Sequence, residues 1–263
     1  MAVIAVASAK GSPGVTTAAL AWTLTWGRST VLAECDPSGG TVLAGFLRSQ
    51  LPADRGLLPL AIAELRSDAL AAEFPRQLID MAPPHGRRLL LPGLTDPVQA
   101  GTLAPVWERL AGFFADLEYG DRACDVIVDC GRLAAEHVPW PLLRSADTVL
   151  LAVRPFLTSI ATAVPTVTRL SRELTNEGGL LVIGDGPYSP GEIARGLGIP
   201  VVATVPWDRH AAAALANGGV IRARSTLLRA AAGAEAPVRA AIGRRRQQVP
   251  QRFVPQVVRS GPI

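Results

Sequence analysis

The chain has 263 residues, of which 49% are hydrophobic and 18% charged, and its formal net charge is +4. That much apolar material suits one large α/β domain, or one domain with an appendage. No apolar run approaches the roughly 18 residues of a membrane-spanning helix. The three cysteines, Cys35, Cys124 and Cys130, form no C-x-x-C pair, which argues against zinc sites and disulfides and for small buried residues.

Residues 2–7 are small, apolar and partly β-branched, and predict a buried strand. The stretch lacks the basic flank of a signal peptide, so we read it as the first strand of a cytoplasmic protein. A Gly/Ser/Pro turn follows, then a helical run at 18–24. In a strand, glycine-rich loop and helix, backbone N–H groups and the positive end of the helix dipole converge on one point, which suits a phosphate. The usual phosphate loop ends Gly-Lys-Ser/Thr, with the lysine on the phosphates and the hydroxyl on Mg²⁺. Here Gly14 and Thr16 are present but Val15 takes the lysine position. Lys10, the single lysine of the chain, opens the loop.

A second strand at 30–33 runs into Glu34-Cys35-Asp36-Pro37-Ser38-Gly39-Gly40. An acid at such a strand end can orient a water or a hydrated metal beside a phosphate, and Asp-Pro-Ser-Gly also makes a simple turn. Residues 41–50 read as helical. The Pro- and Ala-rich stretch 51–84 has a mixed helical pattern that suits packing on a sheet edge, and His85 falls in a surface turn. Strand 87–91 and a helix at about 102–117 come next. Residues 125–129 form an apolar strand ending in Asp129, the pattern of an acid that holds Mg²⁺ through water. Further strands are predicted at 146–153, 180–183 and 199–205, with helices at 158–175 and 193–197. At least six strands alternating with helices give an α/β fold with a doubly wound, mostly parallel sheet and helices on both faces. Ligands in such sheets lie at the carboxyl ends of the strands, where Lys10, Asp36 and Asp129 fall.

The string Lys10-Gly11-Ser12-Pro13-Gly14-Val15-Thr16-Thr17 resembles the deviant Walker A loop of the ParA/MinD family of P-loop ATPases, spelled K-G-G-x-G-K-T-T. The segment around Asp36 resembles that family's D-x-D-x-x-G motif, and Pro206-Trp207-Asp208 its I-P-x-D loop near the base. The resemblance covers about residues 1–220. It implies ATP and Mg²⁺ as cofactors. Gly11, Ser12, Gly14, Val15, Thr16, Thr17, Pro206 and Asp208 would bind the nucleotide, and Thr16, Asp36 and Asp129 would serve the metal. Lys10 and Asp36 would take the catalytic roles, Lys10 by reaching the phosphates of a partner subunit in an ATP-bridged homodimer. Residues 130–132, after Asp129, would form a switch that senses the γ-phosphate. The asparagine with which many members read adenine is missing, which leaves that task to Asp185 or to backbone groups.

Val15 departs most from the family. Its lost lysine removes charge-assisted bonds of roughly 1.5–3 kcal/mol each, with a larger loss expected in rate. Pro13 removes a loop N–H as well. Arg154, at a strand end, is a candidate substitute by placement. The sequence therefore carries two readings. One is a ParA/MinD-like switch that dimerises around ATP, hydrolyses it weakly and positions cargo such as a chromosome, a division site or a pilus apparatus. The other is a non-hydrolysing scaffold like the CpaE/TadZ proteins of pilus assembly.

Residues 221–263 form a basic extension: nine of the 26 basic residues but one of the 22 acids fall there. We expect one helix at 224–232 that Gly233 ends, a second from Pro237 to about 246, and a flexible tail. Leu227, Leu228, Ala231, Val238, Ala241 and Ile242 make an apolar stripe that suits packing on the body. The basic end suits DNA or a protein partner better than a membrane surface, since no aromatic lies on the stripe.

Overall fold

The computed structural model describes residues 1–11, 13–49, 54–119, 122–174, 178–222 and 225–248. In chain order its strands are β1 (Val3–Ser8), β2 (Thr30–Glu34), β3 (Ile79–Asp80), β4 (Arg88–Leu91), β5 (Glu118–Tyr119), β6 (Arg122–Ala123), β7 (Asp125–Arg132), β8 (Thr148–Val153), β9 (Gly179–Ile183) and β10 (Val201–Val205). Its α-helices are α1 (Val15–Thr25), α2 (Leu57–Ser67), α3 (Leu70–Gln77), α4 (Trp107–Ala115), α5 (Trp140–Ser145), α6 (Leu157–Glu173), α7 (Pro190–Leu197), α8 (Arg209–Asn217) and α9 (Thr226–Gln248). Eight strands form one sheet in the order β10-β9-β8-β1-β7-β2-β4-β3, and β5 and β6 make a separate hairpin. Every pairing in the large sheet is parallel except that of the short edge strand β3 with β4. This is the expected doubly wound α/β architecture.

Strand alternation splits the core into two layers. Val3, Ala5 and Ala7 of β1 join a cluster covered by α2 to α7. Ile4 and Val6 face the other way, into a cluster with α1, α8 and α9. Helix α1 carries Trp22 and a run of alanines buried on several sides. Its neighbours α8 and α9 cover the side turned from the sheet, which is why it is apolar all round.

Three expectations differ in detail. Residues 41–49 form successive turns rather than a helix. The Glu34 carboxylate accepts the N–H groups of Thr41 and Val42 at 2.7 and 3.0 Å, and Gly45 lies so close to α8 that a Cβ there would sit 2.2 Å from the Ala216 carbonyl oxygen. The helix expected at 102–117 is shorter, with a 3₁₀ turn over Pro97–Leu103 capped by Asp96 before α4 begins. The tail does not break at Gly233 and Pro237: α9 is one helix through both. Leu227, Ala231, Ala234, Val238 and Ile242 are buried along its length, so apolar packing on α1 and β10 outweighs the hydrogen bond that proline cannot make.

Candidate functional site

Strands β1, β2 and β7 end side by side, and their carboxyl ends bring the phosphate-type loop, Asp36 and Asp129 together. Helix α1 starts at Gly14, whose φ of +112° puts it in the left-handed region, and no side chain caps it. The Ala18 N–H returns to the Gly14 carbonyl at 2.9 Å. The N–H groups of Val15, Thr16 and Thr17 precede the first intrahelical bond, and no acid stands in the first turn. A helix start with neither cap nor acid leaves its dipole for an external anion. Gly11 makes the other left-handed turn of the loop, at φ +77°. Ser12 lies outside the described residues.

Beneath this turn the Thr16 hydroxyl donates to Asp129 Oδ2 at 2.5 Å, and the Gly131 N–H donates to Asp129 Oδ1 at 2.9 Å. Asp129 is 2% exposed. Burial pushes its carboxyl up to about 7; the two hydrogen bonds pull it down, and the charges of Glu34 and Asp36 add to the rise. Asp36 is half-buried; its Oδ1 accepts the Ser38 N–H at 2.7 Å, and its carboxyl lies on the Cα of Gly131. A Cβ at residue 131 would fall 2.0 Å from Asp36 Cγ, and φ there is +61°. Glu34 sits deeper and accepts the Gly93 N–H besides its two bonds to residues 41 and 42. It braces the loops after β2 and β4, with its carboxyl pushed up by burial. Burial also raises the thiols of Cys35 and Cys130, which lie in the core as expected.

These groups border a cleft of about 430 Å³. Its polar end is lined by Gly11, Gly14, Val15, Thr16, Thr17, Asp36, Ser38 and Arg132, and its apolar end by Ile183, Val205, Pro206, Trp207, Ala212 and Leu227. The size and the gradient from backbone donors to apolar walls fit a nucleotide. Among the described residues no three His, Cys, Asp or Glu side chains group into a metal site of their own. A buried carboxylate bonded to a threonine hydroxyl fits a Mg²⁺ that draws its other ligands from phosphate and water.

The remaining site residues fall as follows. Val15 is 6% exposed and packs in the α1 cluster, although it also borders the cleft. Lys10 is exposed in the bend after β1, outside the cleft lining. Pro206 and Asp208 border the apolar end. Asp208 also caps α8 by accepting the Ala211 N–H at 3.0 Å, and it accepts the Thr226 hydroxyl of α9 at 3.0 Å. Asp185 is exposed and Arg154 does not line the cleft. The Arg154 guanidinium lies 4.1 Å from the Trp207 ring centroid, so its cation–π stack is with the 206–208 loop rather than in the cleft lining, and the substitute role expected of it finds no support there. Sequence reading expected the 206–208 loop and, as part of a switch, Arg132, but it missed Ile183, Val205, Ala212 and Leu227, because these wall residues come from four separate segments.

No protein-family model matches the sequence, and no curated protein is significantly similar to it. Solved structures do match. The MinD cell division protein of Aquifex aeolicus superposes with a TM-score of 0.67 at 16% identity, over 91% of this chain and 98% of that one. The septum site-determining protein MinD of Pyrococcus horikoshii, complexed with Mg-ADP, gives 0.65 at 16% identity, over 90% and 95%. A putative plasmid partition protein of Borrelia burgdorferi, bound to AMPPNP, gives 0.69 at 11% identity, over 91% and 98%. The chain has the P-loop fold of the MinD and ParA ATPases.

Proposed function

We propose that this chain is a MinD/ParA-like nucleotide switch that binds ATP with Mg²⁺ in the cleft and dimerises around it to position a cellular cargo. The uncapped start of α1, set against the buried Thr16–Asp129 pair, carries the reading. The backbone N–H groups of residues 15–17 would hold phosphate oxygens. Thr16 and Asp129 would hold Mg²⁺, which neutralises phosphate charge when bound. Asp36, fixed by Ser38 and Gly131, would orient a water at the γ-phosphate. Lys10, exposed and outside its own cleft, would reach the phosphates bound by a second copy. Val15 supplies no charge, so hydrolysis is slow. Chromosome partitioning, division and apparatus placement are all cargo classes for such a switch, and the basic residues at the end of α9 suit DNA or an acidic protein.

The second reading, a non-hydrolysing scaffold of the CpaE/TadZ kind, draws support from Val15 together with Pro13, which cannot donate to a phosphate. Calorimetric titration with Mg-ATP, alongside sedimentation of the same samples, separates the two. The switch reading expects saturable binding, a dimer that forms with ATP and is lost in Lys10→Ala, and faster hydrolysis in Val15→Lys. No binding at millimolar ATP would overturn it and leave the scaffold.

A further inference from the structure

We propose that Arg132 supplies, from the same chain, the phosphate-binding cation that position 15 lacks. This rests on the nucleotide reading of the cleft. A triphosphate there would meet Asp36 on the lining, with Asp129 behind Thr16 and Glu34 deeper still. It would find no cation at residue 15, where valine packs in the core, nor from Lys10 of its own chain, which is outside the lining. Among the described residues that line the cleft, Arg132 is the one basic side chain.

Its placement is built into the backbone. Arg132 closes β7 and pairs with Ser8, the last residue of β1 before the phosphate-type loop, after a register shift between Val6 and Ser8. The Leu133 N–H donates to the Ser8 carbonyl at 2.8 Å and locks that register. The preceding residue, Gly131, takes the left-handed turn that rests on Asp36. The guanidinium is exposed, and its Nη2 donates to Ser38 Oγ at 3.1 Å. Ser38 in turn donates its N–H to Asp36. Arg132 therefore stands on the acidic wall of the cleft, tethered by one hydrogen bond to a neutral hydroxyl. It has no ion pair among the described residues. A guanidinium carries five N–H groups in a fork that matches phosphate oxygens, so most of its donors are left for a ligand. This is a binding role, and it sets the preference for nucleotides with more phosphates.

The test is calorimetry of the full chain with Mg²⁺ and ATP, ADP or AMP, for the unaltered protein and for Arg132→Ala, Arg132→Lys and Arg132→Ala with Val15→Lys. Arg132→Ala is expected to weaken ATP binding about 10- to 100-fold and AMP binding by less than about threefold, with thermal unfolding unchanged because the side chain is exposed. Arg132→Lys should recover part of the loss, and Val15→Lys should restore ATP binding in the alanine background. Equal ATP affinity in the unaltered protein and Arg132→Ala would overturn the role of Arg132 while the nucleotide reading stands. An equal loss for ATP and AMP would do the same, since it would mark a merely structural residue. Absence of any nucleotide binding by the unaltered protein would overturn the underlying reading and this one with it.

Discussion

Gly131 and Asp129 show how closely the site is packed. The carboxyl of Asp36 occupies the space that a Cβ at residue 131 would need, and the backbone there has φ +61°. Gly131→Ala is therefore expected to cost about 1–3 kcal/mol in urea unfolding and to displace Asp36. Asp129 titrates near 3.8 in an unfolded chain and near 7 in the folded one, chiefly through burial. Folding therefore favours its protonated form: the contribution is complete below about pH 4 and is lost as pH rises through 7. Asp129→Asn stays neutral throughout. In nucleotide-free protein the stability of the variant relative to the unaltered chain should rise between pH 4 and 8, read from urea midpoints. A flat difference would show that the carboxylate is solvated after all.

Helix α9 is where a single element decided most. Pro237 is exposed in its interior, four residues after an exposed Gly233. It leaves the helix short of one backbone bond without breaking it, since the face through Leu227, Ala231, Ala234, Val238 and Ile242 stays buried. Pro237→Ala should restore that bond and raise stability by about 1–3 kcal/mol in chemical denaturation. A loss of stability instead would mean that the proline ring packs usefully against β10. The same helix touches the cleft at its start, where Leu227 lines the apolar wall and Thr226 holds Asp208.

For the molecule as a whole, the far part of α9 closes the opposite end of the sheet. Asp125 is fully buried and accepts the Ala2 N–H and the Trp26 indole N–H, each at 2.8 Å. Arg239 of α9 also pairs with it, and bonds Glu235 at 2.8 Å as well. Glu235 accepts the Gly27 N–H at 2.7 Å. Removing Arg239 leaves the buried carboxylate with only the half-exposed Arg28, 4.0 Å away, as counter-charge. Arg239→Ala should cost about 2–4 kcal/mol, below the value for a fully buried pair because the arginine is partly exposed. A chain ended before α9 should lose cooperative unfolding, since one of its two core layers would be open; retained cooperativity at an unchanged midpoint would count against this. No helix among the described residues is long and apolar enough to cross a membrane.

The positions of the main strands along the chain, the loop after β1 and the acids where the apolar runs of β2 and β7 stop were legible in the sequence, because each depends on local pattern: apolar runs of strand length, glycines at turns and a carboxylate where a run stops. Lys10 and Val15 could be weighed in the same way, one as a match and the other as a departure within a motif. Contacts between distant segments could not. Arg132 falls in the switch expected after Asp129, but only the pairing of β7 with Ser8 brings it to the cleft wall as its one basic side chain among the described residues. Arg239 reads as part of a basic end until α9 packs and brings it to Asp125, more than a hundred residues away in the chain. Arg154 looked free to replace a lysine until Trp207 folded over it. The sequence by itself determined the elements and the candidate chemistry, since propensity and periodicity act over a few residues. Only the tertiary structure decided which charges meet the cleft and which are spent on holding it together, since that depends on register and on which helix faces are buried.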